Sequence, residues 1–449
     1  MISPRERWGN QLGFVLATIG FAVGLGNIWR FPYLAGQNGG GAFVLIYVLL
    51  AIVIGIPLFC AEISMGRRAQ KTPLAGMRDL VGRSPFRIIG WLGIAAAFLI
   101  TAYYQLLLGW IAAYFVRAFR GKFRTEDVEQ ATEIFNAFTS RPLEVLAYTV
   151  PVMILAAFVV ARGLREGIER SARILTPLLF FFLVALAVIS IQFEGALEGV
   201  KWYLQPDFSV VTAQTWLAAL GQVFYSIGIG MAGAFVYGSY LDPETSDIPG
   251  NAAKVVTFDT IAAILAGLVM FPALFAFGLE PNQGPGLLFI TMTELFGRLP
   301  AGDVAAGFFF LFIFITGITS SLALLEALTA TVMDSLGWSR QRSLWTTLTC
   351  LLMAGVPIAL GFGPWATIQV FGLDLFGLAD YLSGNVFLML GGLAISLYVA
   401  TSWGFASFRQ ATNTGAGRFR VTGAWGPVIR YIAPIAVAIV LLAGLGLFS

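Results

Sequence analysis

Long apolar runs separated by short polar stretches organise the whole chain. Because about 20 apolar residues are needed for a helix to cross a bilayer, the pattern predicts eleven membrane-spanning helices. The predicted spans are residues 10–35, 41–66, 88–118, 143–162, 174–193, 214–240, 254–278, 303–333, 343–362, 380–408 and 428–448. The pattern therefore predicts an all-α polytopic membrane protein with no separate soluble domain.

The first span contains residues that an uninterrupted membrane helix would not favour. Gly20 to Pro32 reads G-F-A-V-G-L-G-N-I-W-R-F-P, and each glycine inside a helix costs about 1 kcal/mol relative to alanine. Irregular backbone at membrane depth survives only where it is buried in protein or lines a watery cavity. We therefore expect a broken helix whose free N–H and C=O groups hold an anionic substrate group and a cation. Close helix packing through Gly20 and Gly24 is the alternative explanation.

The sixth span carries a similar interruption, G-Q-V-F-Y-S-I-G-I-G-M-A-G from Gly221 to Gly233. Two glycine-interrupted spans placed five apart are typical of transporters with inverted repeats, whose substrate site lies between the repeats. We therefore predict one transport domain over 1–449, with helices 1 and 6 broken at the midplane of the bilayer. Its parts would be a first repeat over 1–193, a second repeat over 214–408 and an additional eleventh helix over 428–448.

Composition narrows the function classes. The chain is 58% hydrophobic and 11% charged, whereas soluble domains carry about 25% charged residues. A net charge of +3, spread over loops, disfavours a nucleic-acid partner. The chain has no histidine, so haem ligation and zinc catalysis lack their usual residue. Cys60 and Cys350 lie far apart in apolar segments, which disfavours a disulfide framework or a metal site. Because no nucleophile–base set can be assembled, we predict that the protein is not an enzyme.

Loop charges predict the orientation. Arginine and lysine crowd the N-terminus and the loops after spans two, four, eight and ten, while most of the alternate loops are acidic or mixed. Since cytoplasmic loops carry the excess of positive charge, we predict a cytoplasmic N-terminus and, from the odd span count, a C-terminus outside. The N-terminal segment lacks a small-residue cleavage site after a short apolar core, so we interpret it as mature protein.

Polar residues inside the predicted spans are candidates for function, because such groups are costly in a bilayer. Asn27 and Ser226 lie beside the two interruptions, and Asp259 lies in span seven, where its carboxylate would suit Na⁺. In span eight, Thr316, Thr319 and Ser320 share one helix face by their i, i+3 and i+4 spacing. Hydroxyl bonding between packed helices is the alternative for span eight, and a sodium site requires that these segments meet.

Two tyrosines and two glutamates in the spans leave alternatives open. Tyr103 and Tyr104 lie in the middle of span three, although aromatic residues usually lie at membrane interfaces. Their hydroxyls need a partner, which is either a substrate carboxylate or a backbone carbonyl. Glu62 and Glu326 are also buried by position, and each suits either hydrogen bonding to broken-helix backbone or ion handling.

These motifs together resemble the neurotransmitter:sodium symporter family. The resemblance rests on the stretch from Gly20 to Pro32, on N-G-G-G-A-F from Asn38 to Phe43 and on G-I-P-L from Gly55 to Leu58. It extends to M-G-R at Met65 to Arg67, to G-Q-V-F-Y-S at 221–226 and to T-S-S at 319–321. It covers essentially the whole chain, and eleven spans fit the prokaryotic branch of the family.

The resemblance implies two sodium ions and one amino-acid-like substrate at the centre. The first ion would bind the Ala22 carbonyl, Asn27, Ser226, Asp259 and the substrate carboxylate. The second would bind the carbonyls of Gly20, Val23 and Thr316 with the hydroxyls of Thr319 and Ser320. The substrate site would comprise Phe21, Ala22, Gly24, Leu25, Gly26, Ile100, Tyr104, Tyr225, Ser226, Gly228, Met231, Ser320 and Leu324.

Within that site the resemblance assigns roles. The substrate carboxylate would meet the N–H groups of Leu25 and Gly26 and the Tyr104 hydroxyl. Its ammonium would meet carbonyls near Phe21, Ala22 and Tyr225, and its side chain would face Ile100, Gly228, Met231, Ser320 and Leu324. The outer gate would pair Arg30 with Asp380, with Tyr225 as a lid and Gln222 nearby. The inner gate would pair Arg5 with Asp334, braced by Tyr240.

Three departures from the family pattern lead to narrower predictions. Chloride-requiring members place asparagine at Asp259 and serine at Ala263, and a fixed carboxylate could replace the chloride charge, so we predict chloride-independent transport. Tyr47, Gln222 and Ser226, the other chloride-side positions, are retained. Gly228 beside the flexible Met231 predicts room for a bulky hydrophobic or aromatic amino acid. Thr316 stands where small residues are common, which a backbone ligand tolerates.

The expected activity is sodium-driven uptake of an amino acid by alternating access, in a prokaryotic cytoplasmic membrane. A membrane receptor that binds an amino acid without moving it is the alternative from another function class. An inverted-repeat symporter for another small solute is the nearest alternative within transport, and the context of Asn27, Tyr104 and W-R-F-P argues against it. A channel is disfavoured because asymmetric broken helices build an occluded site. The expected partners are the amino acid and the lipid bilayer.

Overall fold

The structure is a computed structural model that describes residues 5–121, 127–279, 286–299 and 301–446. Within these ranges the regular elements are helices, and extended backbone is paired only at two isolated bridges, Gly40 with Pro206 and Val370 with Leu373. The predicted all-α class is therefore confirmed. The ends of the predicted domain, residues 1–4 and 447–449, lie outside the described residues.

The helices fall into two sets, those that form the body of the molecule and those that connect them. The helices that form the body of the molecule are α1 Gln11–Ala22, α2 Gly26–Gln37, α3 Gly41–Ala69, α5 Pro85–Ala118, α7 Pro142–Ala161, α8 Leu164–Ile191, α10 Ala213–Ile227, α11 Gly233–Ser239, α12 Ile248–Ala276, α14 Gly302–Leu336, α15 Arg340–Gly361, α16 Leu375–Ala400 and α18 Trp425–Gly444. The connecting helices are α4 Pro73–Val81, α6 Val128–Thr139, α9 Ala196–Leu204, α13 Leu287–Gly297 and α17 Phe405–Asn413.

Nine helices in the described residues are long and apolar enough to cross a membrane, and the bent pair α1 and α2 makes a tenth. The predicted sixth span consists of two shorter helices, α10 and α11, so its crossing of the bilayer stays a prediction. The predicted tenth span, 380–408, is shifted, because α16 covers Leu375–Ala400 and residues 405–413 form the separate helix α17. The inverted repeat likewise stays a prediction.

Burial separates central helices from peripheral ones. In α14 83% of the apolar window is buried and in α5 78%, whereas α8 reaches only 28% and α18 33%. Helices that are apolar all round pack in the core of a large protein or face lipid. The long helices α5 and α14, which pack against each other, are therefore central, and the outer faces of α8 and α18 are left for lipid.

The first interruption lies where the glycines predict it. Helix α1 ends at Ala22, Val23 adopts an extended conformation (φ −76°, ψ 101°), and α2 begins at Gly26 with its axis inclined by 48° to α1. A side chain at Gly24 would place its Cβ 2.6 Å from the Ser320 hydroxyl oxygen. The glycine is therefore required by close approach of another helix as well as by the bend.

The second interruption separates α10 from α11. Gly228 and Gly230 have φ values of +75° and +78°, and the intervening chain ends with Ala232 at φ +64°. Right-handed helix cannot continue through such residues. The Gly230 N–H donates to Oε2 of Glu62, 2.8 Å away in α3. Of the two roles considered for Glu62, hydrogen bonding to broken-helix backbone is the one that the structure contains.

Candidate functional site

Four buried oxygen-bearing side chains meet beside the first interruption. Nδ2 of Asn27 donates to Oδ1 of Asp259 (2.7 Å) and to Oγ of Ser226 (2.9 Å). The Ser226 hydroxyl lies 3.0 Å from both carboxylate oxygens of Asp259, and the Tyr47 hydroxyl donates to its Oδ2 at 3.0 Å. All four side chains are almost fully buried. Helices α2, α3, α10 and α12 thus supply one cluster, which we call the Asp259 cluster.

A second set of oxygens lies between α1 and α14. The Ser320 hydroxyl donates to the carbonyl oxygens of Gly20 (3.0 Å) and Val23 (3.2 Å). The Thr319 hydroxyl donates to the Thr316 carbonyl at 2.7 Å, and the Thr316 hydroxyl donates to Phe312 within its own helix. We call these residues the Ser320 cluster. Of the three hydroxyls predicted to share a face, only that of Ser320 forms a hydrogen bond to α1.

The Tyr104 hydroxyl lies at the same interruption. It accepts a hydrogen bond from the Leu25 N–H over 3.3 Å, and a Cβ at Gly24 would lie 3.0 Å from it. Tyr104 is 4% exposed. The structure therefore brings together the predicted carboxylate-binding groups of α5 and the first interruption, next to Ser320. Gly26, the other predicted donor, has its carbonyl bonded to Nε2 of Gln222 at 2.9 Å.

The apolar part of the predicted substrate site differs from the sequence expectation. A Cβ at Gly228 would lie 2.5 Å from Cζ of Phe21, so the Phe21 ring fills the space that the missing side chain was expected to leave. Ile100, Met231 and Leu324 are buried, and their place in a substrate pocket stays a prediction. The inference of a roomy pocket at Gly228 is wrong in this conformation, because phenylalanine packing and the positive φ explain the glycine.

The residues of the predicted outer gate make contacts other than the expected ion pair of Arg30 with Asp380. Among the described residues no ion pair joins Arg30 to Asp380. Arg30 donates to Oε1 of Gln222 (2.8 Å), and its guanidinium carbon lies 4.8 Å from the centre of the Tyr225 ring. The Tyr103 hydroxyl donates to Asp380 (3.1 Å) and contacts the Tyr225 hydroxyl (3.1 Å). The hydroxyl of Tyr103 is thus bonded to the Asp380 carboxylate instead of a backbone carbonyl.

Arg30, Tyr103, Tyr225 and Asp380 line one cavity of about 110 Å³ together with Leu25 and Gly26. The cavity therefore lies next to the first interruption. Arg30 and Asp380, the two residues of the predicted outer gate, both line it.

Arg5, a residue of the predicted inner gate, lies in a network of contacts. Nη1 of Arg5 lies 2.9 Å from Oδ2 of Asp334, Nη2 donates to the Ser239 hydroxyl at 2.6 Å, and the guanidinium lies over the Tyr240 ring at 4.9 Å. Oδ2 of Asp334 also accepts from the Thr72 N–H at 2.7 Å. The two side chains of the ion pair are only 19% and 24% exposed. The predicted Arg5–Asp334 contact is therefore present, within a wider network.

A second chain of contacts runs beside it. The Tyr240 hydroxyl donates to Glu326 (2.7 Å), Arg340 bridges Glu326 (2.6 Å) and Glu6 (3.0 Å), and Glu6 accepts from the Leu164 N–H (2.6 Å). The side chain of Glu326 is fully buried, and its partner is a cation. Charge pairing, instead of backbone hydrogen bonding, thus explains Glu326.

The N-terminal segment makes one further ion pair on this side. Arg7 donates to Oδ2 of Asp242 at 3.0 Å. Hydrogen bonds from the backbone N–H groups of Glu244 and Thr245 hold the pKa of the Asp242 carboxyl below its usual value. The Asp242 carboxylate therefore stays charged at neutral pH.

Two contributors were not identified from the sequence. Ser239 binds Arg5 through both its hydroxyl and its carbonyl, and the Thr176 hydroxyl donates to the Leu16 carbonyl at 3.1 Å. A Cβ at Gly20 would lie 3.1 Å from the Thr176 hydroxyl, so α8 packs directly against the Ser320 cluster. Thr176 precedes Pro177 in the sequence, but no feature of the sequence alone pairs it with α1.

The fold and these clusters define a polytopic helical membrane transporter. The model of the sodium:neurotransmitter symporter family matches residues 5–140 and 144–448, and the chain belongs to this family. It is therefore a multi-pass membrane protein of a family of sodium-coupled symporters, which are transporters and not enzymes.

Individual relatives agree with this assignment. The chain is 37% identical to the sodium-dependent transporter YhdH of Bacillus subtilis (strain 168), over 99% of this chain and 98% of the relative. It is 28% identical to the rabbit (Oryctolagus cuniculus) sodium- and chloride-dependent creatine transporter 1, over 86% of this chain and 68% of the relative. The crystal structure of MhsT in complex with L-phenylalanine superposes with a TM-score of 0.89 at 36% identity, covering 98% of this chain and 100% of MhsT.

Proposed function

We propose that this chain is a sodium-coupled symporter that carries an amino acid with a bulky hydrophobic or aromatic side chain by alternating access. The observation that carries the proposal is the arrangement at the first interruption. There the Leu25 nitrogen and the Tyr104 hydroxyl oxygen lie 3.3 Å apart. Val23, before Leu25 in the chain, belongs to the Ser320 cluster, and Asn27, after it, belongs to the Asp259 cluster. An anion-binding point between two cation-binding points suits a substrate carboxylate co-transported with Na⁺.

The Asp259 cluster is proposed as the first sodium site. Its carboxylate, amide and hydroxyl oxygens are hard donors of the kind that hard cations prefer. Ala22 is buried, and its carbonyl would complete the ligand set with the substrate carboxylate. A fully buried carboxylate needs a compensating charge, and Asp259 forms no ion pair with a lysine or arginine in the part of the chain that the structure describes. A bound Na⁺ would supply that charge.

The Ser320 cluster is proposed as the second sodium site. It offers the carbonyls of Gly20, Val23 and Thr316 and the hydroxyls of Thr319 and Ser320, all of them neutral. In the described residues no group of three or more histidine, cysteine, aspartate or glutamate side chains is placed to hold a metal ion. A monovalent cation, which tolerates neutral oxygen ligands, therefore fits this set better than a divalent one.

The proposed bulky side chain of the substrate is supported by the similarity of this chain to MhsT, and not by free space beside Gly228. MhsT, whose overall structure this chain shares, binds L-phenylalanine. The predicted pocket residues Ile100, Met231 and Leu324 are apolar and buried, and the Phe21 ring would form one wall of an apolar pocket. Tyr104 supports a substrate with a carboxylate, because its hydroxyl lies beside the Leu25 N–H at the first interruption.

Chloride independence is proposed from the surroundings of Asp259. Tyr47 and Ser226, two chloride-side positions of the family, both donate to the Asp259 carboxylate. The carboxylate thus occupies the donors that a chloride ion would need. The related creatine transporter is named as chloride-dependent, so chloride independence of this chain calls for a direct test.

The gates are proposed to work in opposition. Arg30 and Asp380, separated here by a cavity, would come together over the substrate, with Tyr225 as the lid and Gln222 holding Arg30. Arg5 and Asp334, with Tyr240, would separate when the cytoplasmic side opens. Ligands shift such equilibria only through different affinities for the two states. Substrate and Na⁺ share Ala22 and Asn27, so their binding should be mutually strengthened.

The first test is binding of tritiated L-phenylalanine to the purified protein in Na⁺ and in K⁺, with L-leucine, glycine and GABA as competitors. We expect binding only in Na⁺, competition by L-leucine, and no effect of chloride. Equal binding in K⁺ would overturn the coupling to sodium. Competition by glycine alone would overturn the substrate class and leave the coupling intact.

Flux must be measured separately from binding, because a receptor would also bind. Proteoliposomes with an inward sodium gradient should accumulate L-phenylalanine, and dissipating the gradient with an ionophore should release it. Sodium-dependent binding without accumulation would favour the receptor alternative.

A further inference from the structure

An apolar cavity of about 310 Å³ lies away from the site described above, among α8, α12, α13 and α14. Six of its sixteen lining residues are phenylalanines, among them Phe181, Phe296, Phe308 and Phe309, and all of the lining residues except Ser190 are apolar. Three of the four helices, α8, α12 and α14, are long and apolar enough to cross the membrane. The cavity therefore lies between membrane-crossing helices.

The cavity opens toward the lipid. Phe181 of α8 and Phe308 of α14 are 65% and 52% exposed although they line the cavity, and Ile189 is 54% exposed. Large exposed apolar side chains on the outer face of a membrane helix contact hydrocarbon. A molecule that reaches the cavity through these residues therefore comes from the bilayer.

Ser190 gives the lining of the cavity one polar side chain. The residue is 3% exposed, and its hydroxyl has no hydrogen-bond partner among the described residues. Other buried helical hydroxyls, such as those of Thr101 and Thr149, donate to the carbonyl four residues earlier. An unpartnered buried hydroxyl costs about 1–3 kcal/mol. Among the described residues, the Ser190 hydroxyl is thus a hydrogen-bond donor without an acceptor, in an otherwise apolar lining.

The position of Ser190 along its helix indicates its depth. Helix α8 has 28 residues, a length of about 42 Å at 1.5 Å per residue, whereas the hydrocarbon core is about 30 Å thick. Ser190 is the second-last residue of α8. It therefore lies close to the depth at which the hydrocarbon core meets the headgroup region, where the ester groups of phospholipids are found.

We propose that this cavity binds one acyl chain of a bilayer phospholipid, with the ester carbonyl of that chain accepting a hydrogen bond from Ser190. Water is excluded as the occupant, because a buried water needs two to four polar partners and the lining offers one. The transported substrate is excluded, because no lining side chain compensates an ammonium or a carboxylate. An acyl chain from the surrounding bilayer suits the apolar lining of the cavity and can enter through its opening toward the lipid.

The test uses the full chain in nanodiscs that contain phosphatidylcholine with a diazirine near the end of one acyl chain. After irradiation, mass spectrometry should locate the label on peptides that contain Phe296 and Phe308. Ala305→Trp, which fills the cavity from α14, should reduce this labelling at least tenfold. Ala185→Trp, which fills it from α8, should do the same.

Ser190→Ala tests the ester contact. Loss of one hydrogen bond of about 1 kcal/mol predicts a reduction in labelling of about fivefold. The matched control is Ala436→Trp, since Ala436 is half-buried on α18 and does not line the cavity; it should label like the parent. Sodium-dependent L-phenylalanine binding of each variant reports on folding.

Two results would overturn the proposal. One is labelling of the Phe296 and Phe308 peptides that is equal in the parent and in both correctly folded tryptophan variants. The other is labelling spread evenly over α8, α14 and α18, which would mean that the cavity contacts lipid no differently from the rest of the surface.

Discussion

Asn27 and Asp259 are 232 positions apart in the chain, and Nδ2 of the one lies 2.7 Å from Oδ1 of the other. This contact ties the start of α2 to the middle of α12, and both side chains are fully buried. The remaining hydrogen bonds of the carboxylate come from Ser226 and Tyr47, which are neutral. A bound cation would stabilise a buried carboxylate whose partners are all neutral, which is the basis of the first prediction.

Asp259→Asn should weaken sodium binding at the Asp259 cluster. The substitution keeps the shape of the side chain and removes its charge, so we expect the sodium concentration for half-maximal L-phenylalanine binding to rise at least tenfold. We also expect chloride to restore part of the affinity, because the Tyr47 and Ser226 hydroxyls are then free to donate to an anion. The measurement is substrate binding titrated with Na⁺ in chloride and in gluconate.

Asp374→Asn is the matched control for Asp259→Asn. Asp374 is exposed and caps the helix that begins at Leu375 by accepting from the Gly377 N–H, a role that asparagine also fills. It should behave like the parent. A parental sodium titration for Asp259→Asn, unaffected by chloride, would contradict both the sodium site and the account of chloride independence.

Tyr104→Phe should weaken the binding of substrates through their carboxylate. Hydrogen bonds to charged groups are worth about 1.5–3 kcal/mol, so we expect affinity for L-phenylalanine to fall about ten- to hundredfold. The parent should bind L-phenylalaninamide weakly, and the variant should bind it no more weakly than the parent does. Tyr431→Phe, at a 63% exposed residue, serves as control. An equal loss for the acid and the amide would place the Tyr104 hydroxyl away from the carboxylate.

Much of the fold could be predicted from hydropathy because the bilayer demands long apolar helices. The first interruption could be predicted as well, since Gly20, Gly24 and Gly26 combine with Asn27 in one short stretch. The end of the predicted tenth span was misplaced. Residues 405–408 of the short helix α17 continue the apolar run, and hydropathy does not detect the turn at Gly404 with φ +80°.

At the site, the sequence alone could not predict which distant segments of the chain contact one another. Resemblance to a family supplied Asn27, Ser226 and Asp259 as one set, but spacing alone could not join three different helices. Gly228 shows the opposite case, because the absence of a side chain was interpreted as space when the neighbouring Phe21 ring already fills it. The position of a side chain from another helix cannot be obtained from local sequence.

Asp334→Ala should favour opening on the side of the N-terminus. The substitution removes the acceptor of both Arg5 and the Thr72 N–H. Surface ion pairs contribute up to about 1 kcal/mol, so we expect the inward-open population to rise about fivefold. Hydrogen exchange of peptides covering residues 5–22 should accelerate accordingly. Asp79→Asn, which removes an exposed partner of Lys71, should leave the exchange unchanged; parental exchange in Asp334→Ala would contradict the gate.

Gly228→Ala should damage the protein for two separable reasons. The residue has φ +75°, and an added Cβ would lie 2.5 Å from the Phe21 ring. Left-handed backbone costs an alanine about 1 kcal/mol, and overpacking adds about 1–3 kcal/mol. Gly337→Ala isolates the first cost, because Gly337 has φ +67° and open space around its Cβ position. We therefore expect a larger loss of thermal stability for Gly228→Ala than for Gly337→Ala.

Combining Gly228→Ala with Phe21→Leu tests whether the clash is the cause. The smaller leucine should relieve the overpacking, so the double variant should be more stable than the sum of the two single effects predicts, by an interaction energy of about 1 kcal/mol or more. Thermal unfolding in detergent measures this, and L-phenylalanine binding shows whether Phe21 also forms a wall of the pocket. Strictly additive losses of stability would mean that Phe21 moves aside freely, and the original inference of space at Gly228 would then be restored.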